Sequence, residues 1–387
     1  MSDFQYVLTV VIATKNRQFY CIETIKAILD DDKHHKIQIA IADNSDNNEI
    51  EKFVNYINDP RVKYSYNKAP ITNTDNFNDA MNLADGKYVT VIGDDDGLLP
   101  NIFEILKWAN DNDIDSFSAR NCVIYYWPNS LKEYPNGHLI MPKSKNVYDK
   151  IQVKNELKAL LNNGLQHYLS FSLPKVYHGF VKKEIFDAVK KKTGRYFGGL
   201  SPDIYGCISC SNFIKIHYVI NTPLTIAGVC AKSTTADLFT GKHRGELSTM
   251  PHLHNRKNYD WSNLVPEYYS PNTVWAETAI KALLDTDNAQ LLKKFFNPYY
   301  LIAQGYINNR KDISEIVISK SILFKNCVLF DGSIKFAIKI FISLIKIVLK
   351  KFTSTLNKLL LDREYIVNDV NSIKEAIKIS MLHYSNK

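Results

Sequence analysis

The sequence predicts an α/β protein: a mostly parallel central sheet with helices on both faces, followed by a C-terminal helical region. Three observations predict it. Residues 7–13 are a continuous apolar, β-branched run, the pattern of a strand buried on both faces, and 37–42 and 88–92 are a second and a third strand signal. Helical apolar spacing lies between those runs. Beyond about residue 266 the strand signals give way to helical periodicity.

Taken in order, residues 7–13 (VLTVVIA) form the first strand and polar 14–17 leave it as a loop. Ile22, Ile25, Ala27, Ile28 and Leu29 set an apolar stripe that makes 20–29 a helix. The second strand, 37–42, ends at Asp43. A helix near 48–57 and a short strand at 62–66 follow. Residues 76–84 are helical, and Ala84-Asp85-Gly86 closes that helix with Gly86 as its C-terminal cap. The strand at 88–92 runs into Asp94, Asp95 and Asp96.

From 115 to 230 aromatic residues crowd the chain, prolines and glycines interrupt it, and the reading is short strands, long loops and helices at 153–161 and 182–192. Further helices are expected at 274–284 and 289–296. The chain thus divides into 1–115, 116–265 and 266–387.

The 387 residues are 45% hydrophobic and 23% charged, which excludes a disordered, collagenous or disulfide-scaffold chain. Net charge is +8, too mild to mark nucleic-acid binding unless clustered. The cysteines at 21, 122, 207, 210, 230 and 327 include one close pair, with no second pair to complete a zinc site. They read as buried or free thiols of a reducing compartment. The acidic start reads as leading into a strand, not a signal peptide. No run of 18 apolar residues exists, so no transmembrane helix is expected.

The charge does cluster once. Residues 321–360 hold seven lysines against one acid, Asp331. Within 334–352, Lys335, Lys339, Lys346 and Lys350 share a stripe roughly 60° wide, and most of the remaining circumference is apolar. Two readings fit. A helix lying in a headgroup layer would reach anionic lipid with its lysines. A helix of a helical subdomain would turn them to solvent.

VIGDDDGLLP, residues 91–100, carries the chemistry. Three carboxylates after a buried strand repel one another unless a cation sits among them. In an open α/β sheet, ligands bind at strand ends. A hard divalent ion, Mg²⁺ or Mn²⁺, would neutralise the acids and bridge to substrate phosphates. A solvated acidic turn or a helix cap is the simpler alternative.

The surrounding segments agree with the first reading. VVIATKNR (10–17), IADNS (41–45) and the unbroken stretch 73–96 bring a strand-one loop, an acid after strand two, an Asn-containing helix and the acid cluster together in one order. In this the chain resembles the inverting family 2 glycosyltransferases with the GT-A fold, closely over about the first 105 residues and loosely through the middle.

The resemblance implies roles. Ala13, Thr14, Lys15 and Asn16 would border the nucleotide, and Asp43 would accept from a base N–H, favouring uracil or thymine. Asn78 matches the family's Asn before the acids, but its Arg partner is replaced by Phe77, so Lys15 or Arg17 would supply the missing cation. Gly93 stands where the first family acid is common. That leaves Asp94 for the ribose side and Asp95, then Asp96, for Mn²⁺ or Mg²⁺. Asp203, in GGLSPDIYG at a helix-start signal, matches the catalytic base, although Pro202 takes the place of the usual Glu. A first-turn acid that only complements a helix dipole is the alternative for Asp203. His243, in a loop with Lys242 and Arg244, is a further candidate for the phosphates.

The resemblance therefore implies a metal-dependent transferase that uses a UDP- or dTDP-linked sugar. Its acceptor would be a lipid-linked glycan of bacterial surface polysaccharide (O-antigen, capsule or lipooligosaccharide), and the basic helix at 334–352, not the resemblance, would hold the enzyme at the inner face of the cell membrane. Two other classes stay open: a nucleotidyltransferase on a similar sheet, and an inactive carbohydrate-binding or scaffold subunit.

Overall fold

The computed structural model describes residues 5–32, 36–231, 253, 259–308, 318, 320–361 and 364–385, of which 308 and 354–361 are described by backbone alone. Strands β1 (Leu8–Thr14), β2 (Ile37–Asp43), β3 (Val62–Tyr66) and β4 (Tyr88–Ile92) stand in the order β3-β2-β1-β4, all parallel. Helices α1 (Gln18–Asp31), α2 (Glu49–Ile57) and α3 (Asn73–Asn82) connect them. Every residue of β1, β2 and β4 is buried, because helices cover both faces. Leu8, Val10 and Ile12 pack with Ile25 and Ile28 of α1, while Val11 and Ala13 join the opposite core with Phe77 and Met81 of α3.

The chain continues through β5 (Gly97–Leu98), α4 (Ile102–Asp111), β6 (Ser116–Ala119), β7 (Val123–Tyr126), β8 (His138–Met141), β9 (Tyr148–Ile151) and α5 (Val153–Asn162). Next come β10 (Gly179–Lys182), α6 (Lys183–Thr193), α7 (Pro202–Ser211), β11 (His217–Ile220) and β12 (Thr225–Val229). Beyond β4 the large sheet runs β10-β6-β11-β9, so residues 116–220 extend the sheet that 1–115 begin. β10 is antiparallel to both β4 and β6, which makes β6 parallel to β4. The carboxyl ends of β1, β2, β4 and β6 therefore share one edge.

The C-terminal helices are α8 (Pro271–Asp285), α9 (Ala289–Phe295), α10 (Pro298–Asn308) and α11 (Ile322–Leu361). α8 starts at a capping box in which Ser270 and Thr273 bond each other's backbone, with Pro271 in the first turn. α11 breaks at Gly332, whose φ of 72° no helix interior holds. The expected helix 334–352 is the part after that break.

The lysine stripe is not turned uniformly outward. Lys339 pairs with Asp331 at 2.8 Å and lies over the Tyr299 ring, and Lys350 lies over Phe171. Lys335 and Lys346 are exposed. Phe336, Ser343 and Ile347 pack inward, and the outward face is apolar.

After α11 the chain returns to the body. β13 (Tyr365–Asn368) pairs with β8 in a second sheet of order β13-β8-β7-β12-β5, and α12 (Ile373–Ser385) packs on α1. Lys374 of α12 bonds Asp30 at 2.6 Å.

Two expectations are corrected. The helix read as 76–84 begins earlier, because the Thr72 hydroxyl accepts from the Asp75 amide and caps it. Gly86 is not its cap, since α3 ends at Asn82 with Leu83 in the cap position. Gly86 is needed for close approach, as a Cβ there would lie 2.6 Å from the Thr9 backbone nitrogen.

Candidate active site

The acid cluster sits where β4 ends beside β1. Ile12 of β1 is in register with Ile92, so the residues just beyond each strand meet. The Thr14 hydroxyl donates to Asp94 Oδ2 at 2.6 Å. Arg17, at the start of α1, reaches back over both strands. Its Nη2 lies 2.7 Å from Asp94 Oδ1 and its Nε donates to Oδ2 at 3.1 Å, a two-pronged pairing. Its Nη1 lies 3.5 Å from Asp95 Oδ1. Burial raises the Asp94 carboxyl above its ordinary range and Arg17 opposes this without cancelling it; Asp95 is raised for the same reasons. Arg17, not Lys15, pairs with Asp94 and Asp95; Lys15 Nζ donates to Asn44 Oδ1 at 3.1 Å.

The three acids differ in their surroundings. Asp96 turns inward: Oδ2 accepts from the Gly93 amide at 2.5 Å and faces His178 Nε2 at 3.2 Å, and Oδ1 accepts from the Gly228 amide at 2.7 Å. Burial would raise Asp96, but His178 and these amides outweigh it and hold it low. Burial pulls His178 down, and Asp96 more than offsets that, pushing it up to about 9. Asp95 Oδ2 accepts from the Cys230 amide at 3.0 Å, and its backbone carbonyl accepts from Trp127 Nε1 at 2.9 Å. Asp95 Oδ1 has the long Arg17 contact at 3.5 Å, and the Cys230 thiol also bonds this carboxylate.

Among the described residues no group of three or more His, Cys, Asp or Glu side chains is arranged to hold a metal. A single carboxylate oxygen still suits a hard cation that takes its other ligands from water and substrate phosphate. Asp95 Oδ1 has that character, and Asp96 is already committed to protein donors.

Asp43, in register with Thr14, is buried at the end of β2. Its Oδ1 accepts from the Ser45 amide and its Oδ2 from the Tyr64 hydroxyl, both at 2.8 Å. The loop at 13–16 is braced against the next strand's loop. The Asn16 amide donates to Ser45 Oγ at 2.8 Å, and the Asp46 amide donates to Asn16 Oδ1 at 2.9 Å. Asn16 adopts φ 57°, a left-handed turn that asparagine tolerates.

Asn78 does not face this crevice. Its Nδ2 donates to the Thr74 and Phe197 carbonyls and its Oδ1 accepts from the Tyr196 and Phe197 amides, all within 3.0 Å. With every donor and acceptor used, it straps α3 to the segment leading to Asp203. Asn76, two residues earlier, instead donates to the Thr14 carbonyl at 3.1 Å and leaves its buried Oδ1 without a partner. The sequence pattern points to Asn78 and not to Asn76, because it does not show which of the two faces β1.

Asp203 lies in the first turn of α7, behind Pro202. The hydroxyls of Tyr168 and Ser201 each donate to one of its oxygens. The helix start favours its charge.

Tyr177 and His178 run alongside β4, where the Val91 amide donates to the Val176 carbonyl and the His178 amide to the Val91 carbonyl, both at 3.0 Å. The Tyr177 hydroxyl fills the space above Gly93. Burial, then the Asp96 and Asp95 charges, push its phenol well above the ordinary value. Phe77, in place of the family's Arg, is core and meets Phe197 edge-on at 6.2 Å. His243 lies outside the described residues. All six cysteines are free thiols.

Comparisons with known proteins follow this geometry. The family model described as Glycosyl transferase family 2 matches residues 9–159, which contain the crevice and the acids. Over 151 residues the chain is 33% identical to the "Putative colanic acid biosynthesis glycosyl transferase WcaA" of Escherichia coli (strain K12), covering 37% of this chain and 53% of that protein. Over 134 residues it is 29% identical to the "GalNAc(5)-diNAcBac-PP-undecaprenol beta-1,3-glucosyltransferase" of Campylobacter jejuni, covering 33% of this chain and 41% of that protein. The chain thus spans about half the length of these curated relatives. The "Abequosyltransferase RfbV" of Salmonella typhimurium is 25% identical over 371 residues, 91% of this chain and 100% of its own.

Proposed function

We propose that this chain, which belongs to the family 2 glycosyltransferases, moves a sugar from a UDP- or dTDP-linked donor to a hydroxyl of a lipid-linked glycan in bacterial surface polysaccharide assembly. The observation that carries the reading is the crevice at the ends of β1, β2 and β4, where Asp43, Arg17 and Asp95 converge. The printed names of the relatives support the substrate class, since one concerns colanic acid and another a PP-undecaprenol-linked glycan.

In this reading Ala13, Thr14, Lys15 and Asn16 border the nucleotide, with Asp43 at the base and Asp94 on the ribose side. Asn78 acts through the strap it forms. Asp95 holds Mg²⁺ or Mn²⁺, with Asp96 fixing the turn that presents it. The ion, when bound, offsets charge on the departing diphosphate. Arg17 keeps the remaining acid charge in balance, so the diphosphate does not meet three bare carboxylates. Asp203 takes the proton of the acceptor hydroxyl as that oxygen attacks the anomeric carbon, inverting its configuration. Residues 1–115 then serve the donor and 116–265 the acceptor, on one shared sheet, and within 266–387 the outward face of α11 meets the membrane.

We place the enzyme at the inner face of the cell membrane. Among the described residues no helix is long and apolar enough to cross a membrane. What supports contact is the outward face of α11: Phe330 is 86% exposed, Ile334 78% and Phe341 63%. Such a face, bordered by Lys335 and Lys346, fits the headgroup–acyl boundary.

Calorimetric titration with UDP, dTDP, GDP and CDP, each with Mn²⁺ and with EDTA, tests the donor site. One diphosphate should bind only with metal, and Asp95→Ala should abolish it. Binding of none would remove this function. Release of pyrophosphate during turnover, in place of nucleoside diphosphate, would mark a nucleotidyltransferase.

A further inference from the structure

A separate small cavity of about 60 Å³ opens at the end of β6, lined by Ser118, Arg120, Ser170, Phe171, Ser172 and Lys175 among others. It lies on the same edge of the sheet as the acid cluster, but on the acceptor side of the segment 168–178. That segment ties the two places together. Tyr168 bonds Asp203 at its start, and Tyr177 and His178 face the acids at its end. Leu169 to Ser172 and Lys175 form the cavity wall between them.

The lining is built for negative charge. The Lys175 ammonium is mostly buried and has neither a carboxylate nor a hydrogen-bond acceptor among the described residues. Burial lowers its pKa, so the site holds a positive charge at a cost that an anion would remove. Arg120 also stands at the wall, an exposed guanidinium whose charge is paired with Asp149 at 2.7 Å. The Ser118 hydroxyl is buried and has no hydrogen-bond partner among the described residues. The volume admits a tetrahedral oxyanion with little more than its water. It is too small for a sugar ring with its substituents.

One wall points to what the anion carries. Lys350 of α11 lies 5.1 Å above the ring of Phe171, which lines the cavity. The exposed apolar face of α11 thus begins beside this pocket. A phosphate seated here would have its alkyl chain next to that face and its glycan next to Asp203.

We propose that this pocket takes one phosphoryl group of the phosphate or diphosphate through which the acceptor is joined to its lipid, with Lys175 as counter-charge and Ser118 as hydrogen-bond donor. It rests on the lipid-linked acceptor proposed above. It adds a subsite that grips the link between glycan and lipid, whatever the sugars are.

The test uses the full chain and two probes, decyl diphosphate and inorganic pyrophosphate, titrated into the wild type, Lys175→Gln and Lys175→Arg. Decyl diphosphate should bind the wild type at least tenfold more tightly than Lys175→Gln, with Lys175→Arg close to wild type. Pyrophosphate should bind more weakly than the alkyl probe. Equal binding of decyl diphosphate by the wild type and Lys175→Gln would overturn the proposal. Pyrophosphate binding as tightly as the alkyl probe, with the same dependence on Lys175, would overturn the lipid-linked source in favour of free phosphate. A separate UDP titration reads the donor crevice, so failure of the transferase reading shows there and not at Lys175. Thermal unfolding controls for folding: Lys175→Gln removes an unpaired charge and should leave the midpoint unchanged or higher.

Discussion

The hydroxyl of Tyr177 occupies the place where a side chain on residue 93 would begin: a Cβ on Gly93 would lie 2.6 Å from it and 3.0 Å from oxygens of Asp95 and Asp96. The glycine that departs from the family's acidic pattern is therefore matched by a tyrosine from another segment. Gly93→Ala should destabilise the protein by about 1–3 kcal/mol through overpacking. Gly93→Ala with Tyr177→Phe should regain at least half of that loss, since the closest contact is gone. Urea unfolding of the wild type, Gly93→Ala, Tyr177→Phe and the double variant decides it; no rescue by the second change would show that the acids, not the tyrosine, impose the glycine.

Arg17 is the partner that lets Asp94 stay buried. Arg17→Gln leaves that carboxylate without its counter-charge and should cost about 3–5 kcal/mol. Arg17→Gln with Asp94→Asn should be markedly more stable than Arg17→Gln alone. Additive losses in the double-mutant cycle would mean that the pair does not act as a unit.

Asp203→Asn should lower kcat by about 10²–10⁴-fold while the affinity for nucleotide diphosphate stays as in the wild type. Tyr168→Phe removes one of the two hydroxyls that aim Asp203, and its loss should be smaller and again confined to kcat. A fall in nucleotide affinity equal to the fall in rate would place Asp203 in binding and not in proton transfer.

Glu277, buried in α8, accepts from Tyr259 at 3.2 Å and from the Ser262 amide at 3.1 Å, and burial pushes its carboxyl up to about 7. A folded-state pKa above the unfolded one means stability that is full below the unfolded value, near 4.5, and lost as pH rises through about 7. Stability should fall by up to about 2–3 kcal/mol between pH 5 and pH 8 on this account. Glu277→Gln should flatten that part of the profile. Parallel profiles for the two proteins would assign the pH dependence elsewhere.

Membrane contact is testable without cutting the chain. Removing everything after residue 330 would strip β13 from β8 and α12 from α1, so loss of binding would only report misfolding. Phe341→Glu with Leu349→Glu alters two exposed positions on α11. If that face enters lipid, each change forfeits about 1.5–3 kcal/mol of apolar transfer, and sedimentation with anionic vesicles should weaken at least tenfold. Undiminished binding would mean that another surface meets the lipid.

The parts legible in the sequence were those whose physics is local. β1, β2 and β4 are buried on both faces, so burial appears directly as a mostly apolar run, with Thr9, Gln38 and Thr90 as its polar interruptions. The acids followed because they terminate such a run. The middle strands are four or five residues long and take their partners from distant segments, as when β10 inserts between β4 and β6. No local pattern encodes that pairing. Asn76 and Asn78 lie two residues apart and face opposite ways, a distinction set by the start of α3 at Thr72. Tyr177 and His178 carry no motif, and reach the acids only through their pairing with Val91. The lysine stripe was visible, but α10 and the loop at Phe171 decide which lysines turn inward.

The return of β13 to β8 has a consequence for synthesis on the ribosome. β8 emerges early, whereas its edge partner follows roughly two hundred residues later. At about 5–20 residues per second, that leaves the strand uncovered for some ten to forty seconds. During that interval the nascent chain presents a bare sheet edge and, on α11, an apolar helix face. Both invite wrong partners. The window closes only when translation delivers residues 365–385, so slow codons or a stop shortly before them would yield a polypeptide with its acid cluster in place and its second sheet unsealed, a ready substrate for chaperones and proteases.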